Sequence, residues 1–161
     1  MRSFQELSDP HGICFGCGTA NPEGLHIRSH PDADGVHVIA TMQPDAKYSG
    51  WSGLVYGGYL AMLSDCHSNW TAIYAHYQAE GRPLDSEPRI VCVTGSLSLA
   101  YHKPTPLGVP LRLRARVDGA VGHKTDVVCE ISANGIVTVT SRAVLVRVDI
   151  DKLAERAHAL P

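Results

Sequence analysis

Apolar residues change their spacing twice along this 161-residue chain. Residues 1–24 are rich in Gly, Pro and Asn and hold no sustained period, which predicts an irregular N-terminal segment with room for one short helix. Alternation begins at Leu25 and resumes at Val36, Val38, Ala40 and Met42, predicting two short strands joined through Pro31-Asp32-Ala33-Asp34-Gly35. From Gly57 to about Gln78 the period lengthens. Leu60, Leu63, His67, Trp70 and Tyr74 fall on one face at about 100° per residue, and no proline interrupts the run before Pro83. This is the one long helix that the pattern predicts. Its opposite face gathers Ala61, Asp65, Ser68, Asn69 and Ala72, small side chains around a single carboxylate, so the helix is expected to be enclosed on most sides.

Beyond the loop of residues 81–88 the period shortens again. Arg89–His102 is rich in strand formers, and Leu111, Leu113, Ala115 and Val117 alternate with Arg112, Arg114, Arg116 and Asp118. Val127, Cys129, Ile131 and Ala133 alternate next, Asn134-Gly135 signals a tight hairpin, and Ile136–Val148 answers as its second arm. A short terminal helix is expected over 152–159, within a tail of residues 151–161. The order predicts an α+β fold in which a curved antiparallel sheet of about five to six strands wraps one long central helix. One helix leaves sheet edges uncovered, so pairing with further copies is expected, as a homodimer or a tetramer built from two dimers.

Length and composition narrow the classes. The chain suits one domain over 1–161, and 44% apolar with 19% charged residues is the balance of a folded globule. A formal charge of −2 with scattered basic residues offers no field for nucleic acid. No apolar window suits a signal peptide or a bilayer span, and five cysteines at 14, 17, 66, 92 and 129 fit reduced thiols, so a cytoplasmic protein without membrane partners is expected. His11, Cys14 and Cys17 are spaced as three potential zinc ligands. Structural zinc sites generally want four, and the expectation is a glycine-rich turn without metal.

The candidate chemistry lies at the helix start and two turns into it. Gly57 and Gly58 let an acyl group approach the backbone, and first-turn N–H groups, which lack intrahelical partners, can hold an oxyanion. Asp65 is placed to act as base or nucleophile on a ligand held against a helix start. His67 points roughly away from it and reads as a packed histidine.

Three segments then resemble a known family, the hotdog-fold thioesterases of the phenylacetate-degradation (PaaI-like) type. They are Cys14-Phe15-Gly16-Cys17-Gly18 followed by Asn21-Pro22-Glu23-Gly24-Leu25; Gly53-Leu54-Val55-Tyr56-Gly57-Gly58 running into the helix; and residues 94–104, Thr94 to Pro104, followed by Pro106-Leu107-Gly108. The resemblance implies an acyl-CoA thioesterase in which Asp65 is the catalytic carboxylate, Gly57 supplies the oxyanion-binding N–H, Tyr56 stands beside it and Thr94 orients water. Gly58, Trp51, Ser68 and Asn69 are the substrate-lining candidates, and no cofactor is expected because coenzyme A belongs to the substrate. Where the family usually has His-Gly-Gly this chain has Tyr56-Gly57-Gly58, and an asparagine often found six residues before that histidine is Gly50. A tyrosine hydroxyl donates a hydrogen bond but is a poor base at neutral pH. Two other classes stay open: a non-catalytic acyl-CoA binder and, ranked lower, a hotdog dehydratase or hydratase, which would need Asp65 and His67 to act together.

Overall fold

The long apolar period folds as a helix over Gly57–Ala79, and the sheet curves around it. A computed structural model describes residues 1–150 together with Lys152 and Glu155; the helix expected over 152–159 falls largely outside the described residues. In chain order the elements are α1 (Phe4–Ser8), β1 (His30–Pro31), β2 (Val38–Met42), α2 (Gly57–Ala79), β3 (Val91–Tyr101), β4 (Leu111–Val117), β5 (Lys124–Ala133) and β6 (Ile136–Val148). All six strands form one antiparallel sheet in the order β1-β2-β4-β5-β6-β3. One long helix on such a sheet is the hotdog layout.

Alternation explains how the sheet meets the helix. Leu111, Leu113 and Ala115 of β4 are fully buried, as are Val127, Ile131, Val139, Ala143 and Leu145 of β5 and β6. Their neighbours face outward, where Arg112 and Arg114 pair with Asp32, Arg114 also reaches Asp34, and Arg116 and Arg142 share Asp118. Asn134 and Gly135 adopt φ of 51° and 76°, the left-handed pair that a tight β5–β6 turn requires. From α2 the core receives Tyr59, Leu60, Leu63, Trp70, Ile73 and Tyr77. Ala72 is also fully buried, so enclosure extends to the small-sided face, as expected of a helix wrapped by its own sheet.

The first expected strand is corrected. The Leu25–Ile27 stretch does not join the sheet, because His26 takes a φ of 54°, which breaks extended backbone. Leu25 N donates instead to Phe15 O at 2.7 Å and Ile27 N to Gly16 O at 3.0 Å, so the stretch zips onto the cysteine-containing loop. Only His30–Pro31 pairs with β2.

His67 anchors this N-terminal region. Its Nε2 meets Val38 O at 3.1 Å and its Nδ1 meets Ser29 Oγ at 3.0 Å, while Gln5 Nε2 donates to the same Ser29 hydroxyl at 3.1 Å. Full burial pushes the imidazole down to about 4, so the ring is neutral and donates from Nε2 to the carbonyl. It is a packed histidine, as its place on the bulky face predicts.

Candidate functional site

Two groups of candidate side chains lie toward the two ends of β3. At the first, Tyr56 caps α2 with extended backbone and no side-chain cap. Tyr56 N donates to Tyr48 O at 2.7 Å, which fixes the angle at which the chain enters the helix. The first helical bonds run from Tyr59 N and Leu60 N to Tyr56 O. The amides of Gly57 and Gly58 therefore find no acceptor among the described residues and remain available for an anionic oxygen. Tyr101 Oη donates to Gly57 O at 2.9 Å, tying the helix start to the end of β3. Tyr56 folds its ring over Gly58, where a Cβ would come within 2.7 Å of the ring Cζ. A cavity of about 590 Å³ opens here, lined by Gly50, Trp51, Tyr56, Gly57, Tyr101 and Lys103 among others.

At the other end, Thr94 Oγ1 donates to Asp65 Oδ1 at 2.5 Å. Asp65 is half-buried and lines a smaller cavity of about 260 Å³ with Cys14, Cys66, Asn69, Trp70 and Arg89. Asn69 Nδ2 donates to Cys92 O at 3.0 Å and so pins the start of β3 to α2. Arg89 forms a close ion pair with Asp9 at the rim.

The expected site residues thus divide. Asp65, Thr94 and Asn69 come together, and so do Tyr56, Gly57, Gly58 and Trp51; Asp65 and Asn69 line the smaller cavity, and Trp51, Tyr56 and Gly57 line the larger one, while Thr94 and Gly58 line neither. Asp65 follows Gly57 by eight positions on the same helix, a rise of about 12 Å at 1.5 Å per residue. Trp51 lies on the helix-entry loop and is 83% exposed. Ser68 is fully buried and lines neither cavity, because the curved sheet also covers that side of the helix.

Sequence reasoning missed two contributors. Tyr101 sits in the third family-like segment, and strand composition there gives no sign of its reach for Gly57. Cys66 follows Asp65 directly, and only the fold brings Cys14 and Cys17 to it. The three sulfurs lie within 4.8 Å of one another, with Cys14 and Cys66 Sγ 3.8 Å apart. Bonds from the Cys17 and Cys66 thiols, and from the amides of Cys17 and Gly16, hold the Cys14 thiol well below its usual range. Its partners are raised correspondingly: Cys17 to about 11, chiefly by its bond to Cys14, and Cys66 further in the same direction. His11, the third ligand that the sequence spacing offered, is exposed and outside this group.

No protein-family model matches the chain, and no curated protein matches it. Solved structures do. A thioesterase superfamily protein aligns at 26% identity with a TM-score of 0.64, over 84% of this chain and 63% of its own, so the chain spans less than two thirds of that neighbour. A thioesterase superfamily protein from Shewanella loihica PV-4 aligns at 29% identity and a TM-score of 0.57, over 76% of this chain and 91% of its own. A Streptococcus mutans UA159 protein, solved bound to acetyl CoA, shares the fold at 20% identity and a TM-score of 0.57, over 70% and 81%. Among the described residues no helix is long and apolar enough to cross a membrane.

Proposed function

Since this chain shares the hotdog fold of thioesterase superfamily proteins, we propose that it hydrolyses an acyl-CoA thioester at sites shared between two copies. The observation that carries the reading is the division of the chemistry along β3. Asp65 is bonded to Thr94 near one end of the strand, and Gly57 is bonded to Tyr101 near the other. A carbonyl resting on the Gly57 amide is beyond reach of the same chain's carboxylate, given the rise of about 12 Å between them.

A two-fold axis resolves the separation. β3 is an edge strand of eleven residues without a charged side chain, the kind of edge that invites pairing. Antiparallel pairing of two β3 strands about a point between Leu97 and Ser98 sets Thr94 of one copy opposite Tyr101 of the other. Each Asp65 then faces the other copy's Gly57, and two identical sites result. The thioester carbonyl oxygen accepts from the Gly57 amide, with Tyr56 beside it. Asp65 takes a proton from water as the water attacks the carbonyl carbon; the carbon–sulfur bond breaks, and the thiol leaves with a proton. Water is the only co-reactant, so the reaction calls for no cofactor. A CoA-type ligand fits the neighbour solved with acetyl CoA, and the cytoplasm, where acyl-CoA is met and free thiols persist, is the proposed compartment.

A dehydratase is disfavoured because both ring nitrogens of His67 are already engaged, by Ser29 and Val38. The rival with an observation behind it is a non-catalytic acyl-CoA binder, because Tyr56 and Gly50 replace the histidine and asparagine of the family pattern. Release of free thiol from a panel of short, long and aromatic acyl-CoAs tests both. We expect hydrolysis of at least one, and a loss of about 10²- to 10⁴-fold in kcat in Asp65→Asn with binding retained. Tight binding without thiol release from any member favours the binder, and undiminished turnover in Asp65→Asn removes Asp65 from the mechanism.

A further inference from the structure

The thiol cluster beside Asp65 belongs to no step of the proposed hydrolysis. We propose that Cys14, Cys17 and Cys66 form a binding site for one soft divalent metal ion, with zinc as its natural occupant, clamping the N-terminal loop onto α2.

Geometry, packing and donor chemistry agree on this. Four sulfurs at Zn–S distances of about 2.3 Å span tetrahedral edges of about 3.8 Å. Cys14 and Cys66 Sγ lie 3.8 Å apart, and all three sulfurs fall within 4.8 Å of one another. A Cys14–Cys66 disulfide would need the sulfurs to close to about 2.05 Å and would leave Cys17 unused. Thiolates are soft ligands, which selects zinc over magnesium or calcium. The thiols release their protons as the metal binds.

The loop is shaped around the sulfurs. A Cβ at Gly16 would overlap Cys66 Sγ, and one at Gly18 would lie 2.5 Å from Gly12 O and 2.6 Å from Cys14 O. Both glycines of Cys14-Phe15-Gly16-Cys17-Gly18 are thus required by the close approach of this loop to α2 and to itself. Trp70 Nε1 donates to Cys17 Sγ at 3.1 Å. Such N–H···S bonds support sulfur that carries negative charge, as outer-shell donors do around metal ligands. Cys14 is exposed and Cys17 buried, so the fourth vertex opens on the solvent side and is left to water.

The test uses the whole protein, purified under reductant without chelator, incubated with zinc sulfate and desalted. Elemental analysis should return about one zinc per chain. Cys14→Ala and Cys66→Ala should each lower retention at least tenfold, and His11→Ala should leave it unchanged. Cobalt(II) in place of zinc should give the intense thiolate-to-cobalt charge-transfer absorption, lost in Cys66→Ala. Circular dichroism checks that the variants fold; where one does not, the cobalt spectrum of the unsubstituted protein decides. Absence of that absorption, zinc retained by folded Cys66→Ala, or zinc lost in His11→Ala overturns the site. None of these readouts depends on thioester hydrolysis.

Discussion

Thr94 donates its hydroxyl to the Asp65 carboxylate at 2.5 Å, across the seam between the central helix and the sheet's long edge strand. The bond occupies one carboxylate oxygen of a residue that lines the smaller cavity. Thr94→Val keeps the shape and deletes the donor. Hydrogen bonds to charged groups contribute about 1.5–3 kcal/mol, so kcat should fall about 10- to 100-fold with KM little altered. Thr94→Ser should restore most of it. Steady-state kinetics on the best acyl-CoA would measure both, and a fall in Thr94→Ser as deep as in Thr94→Val would show that the methyl group matters instead.

Gly58 and Tyr56 should behave as one unit. An added Cβ at Gly58 comes within 2.7 Å of Tyr56 Cζ and 2.8 Å of its hydroxyl, so the ring must swing away. Tyr56→Phe should cost on the order of tenfold in kcat/KM, equivalent to about 1.4 kcal/mol of transition-state binding. Gly58→Ala should cost at least as much, and the double variant no more than Gly58→Ala alone. Additive losses would mean that the tyrosine hydroxyl acts from some other position.

Gly57→Pro isolates the backbone donor. Proline suits the first position of a helix, and Tyr56 before it is already extended, with ψ of 130°. A Cβ at Gly57 meets only ordinary contacts with Tyr101 at 3.5 Å. The variant should fold and lose about 10²- to 10³-fold in kcat, the effect of removing one oxyanion donor. Refolded together in equal amounts, Gly57→Pro and Asp65→Asn chains should recover roughly a quarter of native activity, since half the dimers are mixed and one of their two sites is intact. Light scattering should give a multiple of 17.3 kDa throughout. No recovery on mixing, or a mass of one chain, would dissolve the shared site.

Acid should weaken the fold through His76. Burial, and then the Arg147 guanidinium, lower its pKa below the ordinary 6.5, while the Glu80 carboxylate opposes them; Thr125 Oγ1 lies 3.4 Å from its Nε2. Above pH 6.5 the ring is neutral in both folded and unfolded chains and contributes no pH dependence. Below it the unfolded chain binds a proton that the folded chain resists, so stability declines as pH falls from 6.5 toward the lowered value. Urea midpoints at pH 7.5 and 5.5 should differ less in His76→Gln than in the unsubstituted protein. Equal differences would assign the acid response to other groups.

The helix and four of the strands were legible because their periods persist over many residues and their turns are chemically marked, as at Asn134-Gly135. Leu25–Ile27 misled for a local reason: one residue at positive φ, His26, ends extended backbone without disturbing the alternation of side chains. The burial of Ser68 has a tertiary reason. Three positions after Asp65 a helix returns to nearly the same face, but the sheet's curvature encloses Ser68 and leaves Asp65 at an opening. The cysteine cluster joins residues 52 apart in the chain, and spacing within one segment offered His11 where the fold delivers Cys66.

The Gln5–Ser29–His67 hydrogen-bond chain also sets an order of events as the protein is synthesised. A helix of five residues such as α1 cannot hold itself together in water, capping box or not. The serine that receives Gln5 and the histidine behind it emerge from the ribosome later, and His67 is oriented only once β2 supplies the Val38 carbonyl. Ser3 and Gln5, polymerised before either of those partners, are fully buried in the finished molecule. The α1 segment must therefore wait on the nascent protein's surface and dock after the central helix has formed.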